Sequence, residues 1–227
     1  MFLTKKRNKL YSHICFKQKG KMNYNEFRTK MKLYPLFSVK EIGKLFSGFD
    51  SRRLVEWQKR GYIEKLRNSF YCFSDTENAE QFLYYSANIM YHPSYVSLES
   101  ALSVYGFIPE QVFQTISCTT LKTQMFNTKR GRFVYHHIKP KLYFGYKLVP
   151  WKNFNYLIAE PEKVLIDYLY LHPEIKNVSD IDSLRWNVFK INETISLNKL
   201  DVYCTHISSA ALEKRIILLK EFLNAES

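Results

Sequence analysis

Between Phe37 and Phe73 the chain interrupts its apolar pattern at Ser47-Gly48, at Gly61 and at Asn68-Ser69, so only short elements fit there. Ser38 and Glu41 have the spacing of a capping box, and Val39, Ile42, Leu45 and Phe46 then recur at helical spacing. Asp50 can cap a second helix whose first turn carries Arg52 and Arg53. Leu54 and Trp57 share one face of it, with Arg52, Val55, Glu56 and Lys59 opposite. Gly61 stops that helix, and Tyr62–Leu66 and Phe70–Phe73 read as two strands closed by Arg67-Asn68-Ser69, with Asn68 suited to the left-handed turn position. Helix, turn, helix and basic hairpin predict a winged helix-turn-helix, with the Arg52 helix entering a DNA major groove. The same elements also serve as plain core or as protein-contacting modules elsewhere. Charge weighs for DNA.

The formal net charge is +13, and all of it is placed at one end. Residues 1–73 hold 18 Lys and Arg against 5 Asp and Glu, whereas residues 74–227 hold 16 of each. A basic excess confined to the segment with the helix-turn-helix pattern suits a face that displaces counterions from a phosphate backbone. Residues 1–21 carry seven of the basic residues and no acidic one. That extension reads either as a flexible arm touching phosphates or as a mis-called start before Met22.

The rest of the chain predicts an α+β fold. Residues 22–74 form the winged unit, 75–94 a stiff connecting helix capped at Ser74 or Asp75, and 95–227 a second domain. In that domain Tyr95–Gly106 reads as a helix starting at Ser97. The period then shifts towards two over residues 114–159, giving a small, mostly antiparallel sheet of four or five strands punctuated by Pro140 and Pro150. Helical patterns return over residues 161–223, beginning with Pro161 and ending on a Leu212, Ile216, Leu219, Phe222 stripe. The four cysteines form no CxxC pair, and the six histidines form no ligand set, so reduced thiols and no metal are expected. No apolar run approaches membrane-spanning length and the basic N-terminus lacks an apolar core, which predicts a cytoplasmic protein with no membrane partner.

Four blocks together resemble one known family. They are Tyr95–Leu102 (YVSLESAL), Gly106–Val112 (GFIPEQV), His137–Gly145 (HIKPKLYFG) and Ala159–Asp167 (AEPEKVLID). In this order they resemble the AbiEi-type antitoxins, the regulator component of a bacterial phage-defence toxin–antitoxin system, and the likeness covers roughly residues 25–170. It implies a winged-helix domain that represses its own operon and a C-terminal domain that carries antitoxicity. The implied partner is a nucleotidyltransferase toxin encoded next door, in a system usually classed as type IV, where the two proteins need not form a stable complex. At the wing tip the family commonly has Gly where this chain has Asn68-Ser69.

The candidate DNA-contacting residues are Ser51, Arg52, Arg53, Lys59 and Arg60 in the recognition helix, with Lys65 and Arg67 on the wing. Arg52 is the expected base reader, since Arg pairs bidentately with guanine O6 and N7. Wing cations would meet phosphate. For antitoxicity the candidates are Arg130, Arg132, Lys139, Lys141 and Tyr143, basic and aromatic residues that border the predicted sheet, as do Tyr135 and Tyr146. The alternatives are a stand-alone regulator without a toxin and a metal-dependent nucleic-acid enzyme built on Glu160, Glu162, Lys163 and Asp167. The helical spacing and Pro161 argue against the enzyme, and no GxxxxGK[ST], GxSxG or HExxH occurs. No cofactor and no catalysis are expected.

Overall fold

Asn23 accepts from the Glu26 amide at 2.9 Å and thereby starts α1 (Tyr24–Met31), which buries Phe27 and Met31. This computed structural model describes residues 22–207 and 209–225; the readings of residues 1–21 lie outside the described residues. The capping box forms: the Ser38 amide donates to Glu41 Oε2 at 2.8 Å and the Glu41 amide to Ser38 Oγ at 3.2 Å, opening α2 (Val39–Leu45). After α3 (Arg52–Lys59), β2 (Ile63–Arg67) and β3 (Phe70–Phe73) form a hairpin, and β1 (Phe37–Ser38) adds to it in the antiparallel order β1-β3-β2. The turn is only Asn68-Ser69, and Ser69, not Asn68, takes the left-handed conformation at φ 69°.

That hairpin serves two cores. Ile63, Tyr71 and Phe73 pack with Phe27, Phe37, Leu54 and Trp57 in a small N-terminal core, whereas Leu66 and Cys72 belong to the larger core that follows. Successive strand residues point to opposite faces, so alternation alone supplies the second face. A bulge at Leu66 completes it: Lys65 pairs with Tyr71 and Arg67 with Phe70, so Leu66 is the extra residue.

The helix expected as a connector is shorter, α4 (Glu80–Met90), with Ala79 at its N-cap and residues 74–79 a turn. Asp75 is spent on Arg28, with Arg28 Nη2 at 2.5 Å from Asp75 Oδ2, and so does not cap it. Phe82, Tyr85, Ala87 and Met90 place α4 inside the larger core. There it covers one face of a six-stranded sheet of β4 (Ser94–Val96), β5 (Gln114–Thr119), β6 (Gln124–Thr128), β7 (Gly131–His137), β8 (Tyr146–Trp151) and β9 (Phe154–Ala159).

The strand order is β6-β7-β5-β4-β9-β8; five strands form within residues 114–159 as expected, and three of the five pairings are antiparallel, but a sixth strand joins them and β4–β9 and β5–β7 are parallel, so the sheet is mixed. The strand missing from that expectation is β4, three residues split between the expected connecting segment and the lead-in to the next helix, α5 (Leu98–Val104). Pro150, expected as a break, lies within β8, where it costs little because β8 is an edge. On the face opposite α4 lie α5 and α6 (Pro161–Leu171): Tyr135 on β7 donates to the Ala87 carbonyl at 2.9 Å, while Tyr95 on β4 reaches α6. Short helices α7 (Val178–Asp182), α8 (Val188–Thr194) and α9 (Leu197–Thr205) and the long α10 (Ala210–Ala225) close the fold, with the Leu212, Ile216, Leu219, Phe222 stripe buried. Between α7 and α8 the helical pattern is broken where Arg185 takes φ 52°.

Arg130, in the turn between β6 and β7, holds the two units together. It pairs with Glu64 on the hairpin and donates to the carbonyls of Phe73, Ser74 and Thr76, with its side chain 9 % exposed. Arg67 supports the same seam: its guanidinium lies 4.2 Å from the Phe126 ring centre and 5.1 Å from that of Tyr91, and it donates to the Met90 carbonyl. Replacing Arg130 by Ala leaves the half-buried Glu64 carboxylate and the carbonyls of Ser74 and Thr76 without their donor, while the Phe73 carbonyl keeps the Thr76 amide. We expect Arg130→Ala to lower unfolding free energy by about 3 kcal/mol in urea denaturation. A change under about 0.5 kcal/mol, the range of ordinary surface substitutions, would show that the seam does not depend on it.

Candidate nucleic-acid interface

The face presented by α3 follows from what its other side must bury. Leu54 and Trp57 are 1 % and 2 % exposed, and the Phe27 ring packs at a tilt of 39° against Trp57, 4.6 Å between ring centres. The helical period therefore turns Arg52, Val55, Glu56 and Lys59 to solvent. Ser51 has helical dihedrals and no side-chain cap bond; the Asp50 carboxylate accepts from the Arg52 amide at 3.0 Å instead. The same carboxylate accepts from Arg52 Nε at 3.0 Å and lies 2.9 Å from Nη2. Arg52's side-chain and backbone hydrogen bonds hold the Asp50 carboxyl below its ordinary pKa, so the pair is ionised at neutral pH. Arg53 is half-buried and Lys59 exposed. Arg60 pairs with Glu56 one turn back at 2.9 Å, which neutralises the one acidic residue on this face.

On the hairpin, Lys65 is exposed, but Arg67 is not offered to solvent as a wing cation. It is turned into the seam by the bulge, against Tyr91 and Phe126. The sequence pattern could place Arg67 near a turn. It could not show that a second core sits behind it.

The residues proposed for antitoxicity do not converge. Arg130 is held in the seam. Arg132 sits at the start of β7, with Nε 2.9 Å from Met125 Sδ, beside an open groove of about 540 Å³ also lined by Glu99, Tyr168 and Trp186. Lys139 and Lys141 are exposed beyond the other end of β7, so that the strand's length, roughly 20 Å, separates them from Arg132. Tyr143 is half-buried against Tyr95 and Tyr146, with ring centres at 5.3 and 5.1 Å, and burial pushes its phenol pKa up. Tyr135 is fully buried.

Beneath Tyr143 lies a polar cluster that the sequence offered only as loose carboxylates. Lys163 and Asp167, one turn apart on α6, form an ion pair with neither side chain exposed. Lys163 Nζ donates to Tyr95 Oη at 2.8 Å, and Asp167 Oδ2 accepts from Tyr95 Oη at 2.9 Å and from Ser97 Oγ at 2.8 Å. Gly145 stands against the lysine stem, where a Cβ would come within 3.1 Å of it. Glu162 faces elsewhere, accepting from the Ser196 amide at 2.9 Å and lying 3.1 Å from Lys199 Nζ, which also pairs with Glu160. The carboxylates considered for an enzyme thus belong to two separate ion-pair systems. Among the described residues, no three His, Cys, Asp or Glu side chains gather as a metal site. Burial pushes the Cys72 thiol up to about 12 and Cys118 well above its usual range, so both are unreactive.

No family model matches this chain, and no curated protein matches it either. Among the described residues no helix is long and apolar enough to cross a membrane.

Breaking the Lys163–Asp167 pair from one side strands a charge in the core. Lys163→Met should cost about 3–5 kcal/mol of unfolding free energy, and the double change Lys163→Met with Asp167→Leu should restore much of it. Urea denaturation of the three proteins reads this directly. Equal losses in single and double variants would mean that packing, not charge, dominates the site.

Proposed function

We propose that this protein is a DNA-binding regulator. Its α3 acts as the recognition helix of a winged helix-turn-helix, and it serves as autorepressor and antitoxin of a type IV system directed against a nucleotidyltransferase toxin. The observation that carries the DNA reading is the outward face of α3. A helix anchored by Leu54 and Trp57 presents Arg52 with its side chain 90 % exposed, Val55 and Lys59, its lone carboxylate paired with Arg60. Within residues 22–73 there are 11 basic and 5 acidic residues, so the basic balance does not depend on the N-terminal extension.

The antitoxin part rests on the resemblance to the AbiEi-type family. Three of the resembling blocks meet in space: Tyr95 and Ser97, Gly145, and Lys163 with Asp167 all border one buried cluster. Blocks that build a common core support reading them as one domain of that family. The nucleotidyltransferase partner is tested by co-expressing the neighbouring toxin gene with this protein and scoring growth. Growth arrest that this protein fails to relieve would remove the antitoxin half of the proposal.

For the DNA half, fluorescence anisotropy against duplex from directly upstream of the gene, beside a scrambled duplex, should show a preference of ~10³ or more that weakens steeply with salt. Arg52→Ala should cost about 1–3 kcal/mol of that binding. Arg67→Ala should leave it unchanged at temperatures where the protein stays folded, because Arg67 faces the seam. Equal and weak binding to both duplexes would refute the proposal.

A further inference from the structure

The contact between Asp50 and Arg52 holds a side chain that is otherwise almost wholly in solvent. Asp50 takes the Nε edge of the guanidinium, with Nε 3.0 Å from both carboxylate oxygens and Nη2 2.9 Å from Oδ2. Both Nη1 hydrogens and the second Nη2 hydrogen are left over. One from each nitrogen forms the parallel fork that matches guanine O6 and N7. Glu56, one turn along and the other carboxylate within reach of this face, is engaged by Arg60 at 2.9 Å and does not compete for Arg52. Val55, 53 % exposed and three residues after Arg52 on the same helix, carries the one large apolar side chain on the outward face of α3. Its methyl groups suit the C5-methyl of thymine, the apolar feature of the major groove.

We infer that Asp50 is a positioning residue that pre-aligns Arg52 for a guanine, and that Val55 selects a neighbouring thymine by its methyl group. This rests on the DNA-binding reading above and specifies the bases it would take. Because Asp50 also caps α3 through the Arg52 amide, an Ala substitution would mix two effects. Asn and Ser both keep a capping oxygen while removing the anionic chelate, which separates them.

Site selection from a randomised duplex pool tests this with the full chain and its Asp50→Asn, Asp50→Ser and Val55→Ala variants. Wild type should enrich a motif with a guanine next to a thymine. Both Asp50 variants should lower the preference for that guanine by a factor of about 3–10, the cost of ordering a free arginine on binding, while affinity for the unselected pool does not fall, since losing a carboxylate leaves the face more basic. Replacing the thymine by uracil should weaken wild type about fourfold, one methyl's worth of burial, and leave Val55→Ala unaffected. A purely structural cap would lower binding to every sequence alike. If wild type enriches a motif but the Asp50 variants keep its base preferences, or uracil is tolerated as well as thymine, the inference is overturned and DNA recognition itself stands. If wild type enriches nothing, the DNA-binding reading falls and takes this inference with it.

Discussion

A lysine and an aspartate without access to water must find each other and must also satisfy their remaining donors and acceptors, because a desolvated charge left alone costs several kcal/mol. On α6 they are one turn apart, so the pair itself is local. What the pair still needs is not local. Tyr95 and Ser97 supply it from β4 and its end, at the centre of the larger sheet, and the loop at Gly145 must stay bare to admit the lysine stem. The central strand, the helix that separates the sheet from the C-terminal helices, and the connection into β8 are thus specified together. Apolar packing alone would allow α6 to slide or rotate by a residue. The hydrogen-bonded pair does not.

At the other seam, charge is used differently. Arg130 and Arg67 are both cations on or beside turns, the positions where a sequence suggests phosphate contacts, and both are consumed in joining the two units. Arg52, by contrast, is held by its own neighbour without being buried. The distinction between a structural and an available arginine is therefore made by surroundings. A stack of Phe126 and Tyr91 makes one, an aspartate two residues upstream makes the other.

The N-terminal unit could be read closely because its signals are local. The capping box at Ser38 and Glu41, the Leu54–Trp57 face, the stop at Gly61 and the hairpin all lie within a few residues of their partners. Where the reading failed, the deciding partner was distant in sequence. Tyr95 and Val96 read as helix because nothing local reveals that they pair with Cys118, Ser117 and Ile158. Asp75 reads as a cap until Arg28 is brought beside it. At the candidate site, Arg52's exposure followed from the helical period alone, whereas Arg67's diversion depended on a bulge and on two aromatic rings from the other unit. The lysine and aspartate of α6 did leave a trace, an i, i+4 pair on a mostly apolar helix, but their four-membered network did not.

The two-faced hairpin has a bearing on how this chain can be divided. Composition changes near residue 74, and a cut there would look clean on paper. It would strip one side of β2 and β3, leaving Leu66 and Cys72 bare on one fragment and the receiving surface around Tyr91 and Phe126 bare on the other. Each fragment would also present an unpaired partner of the Arg130–Glu64 bridge. Truncation at that point would yield two sticky halves, so α1 through the sheet is held together as one folding unit.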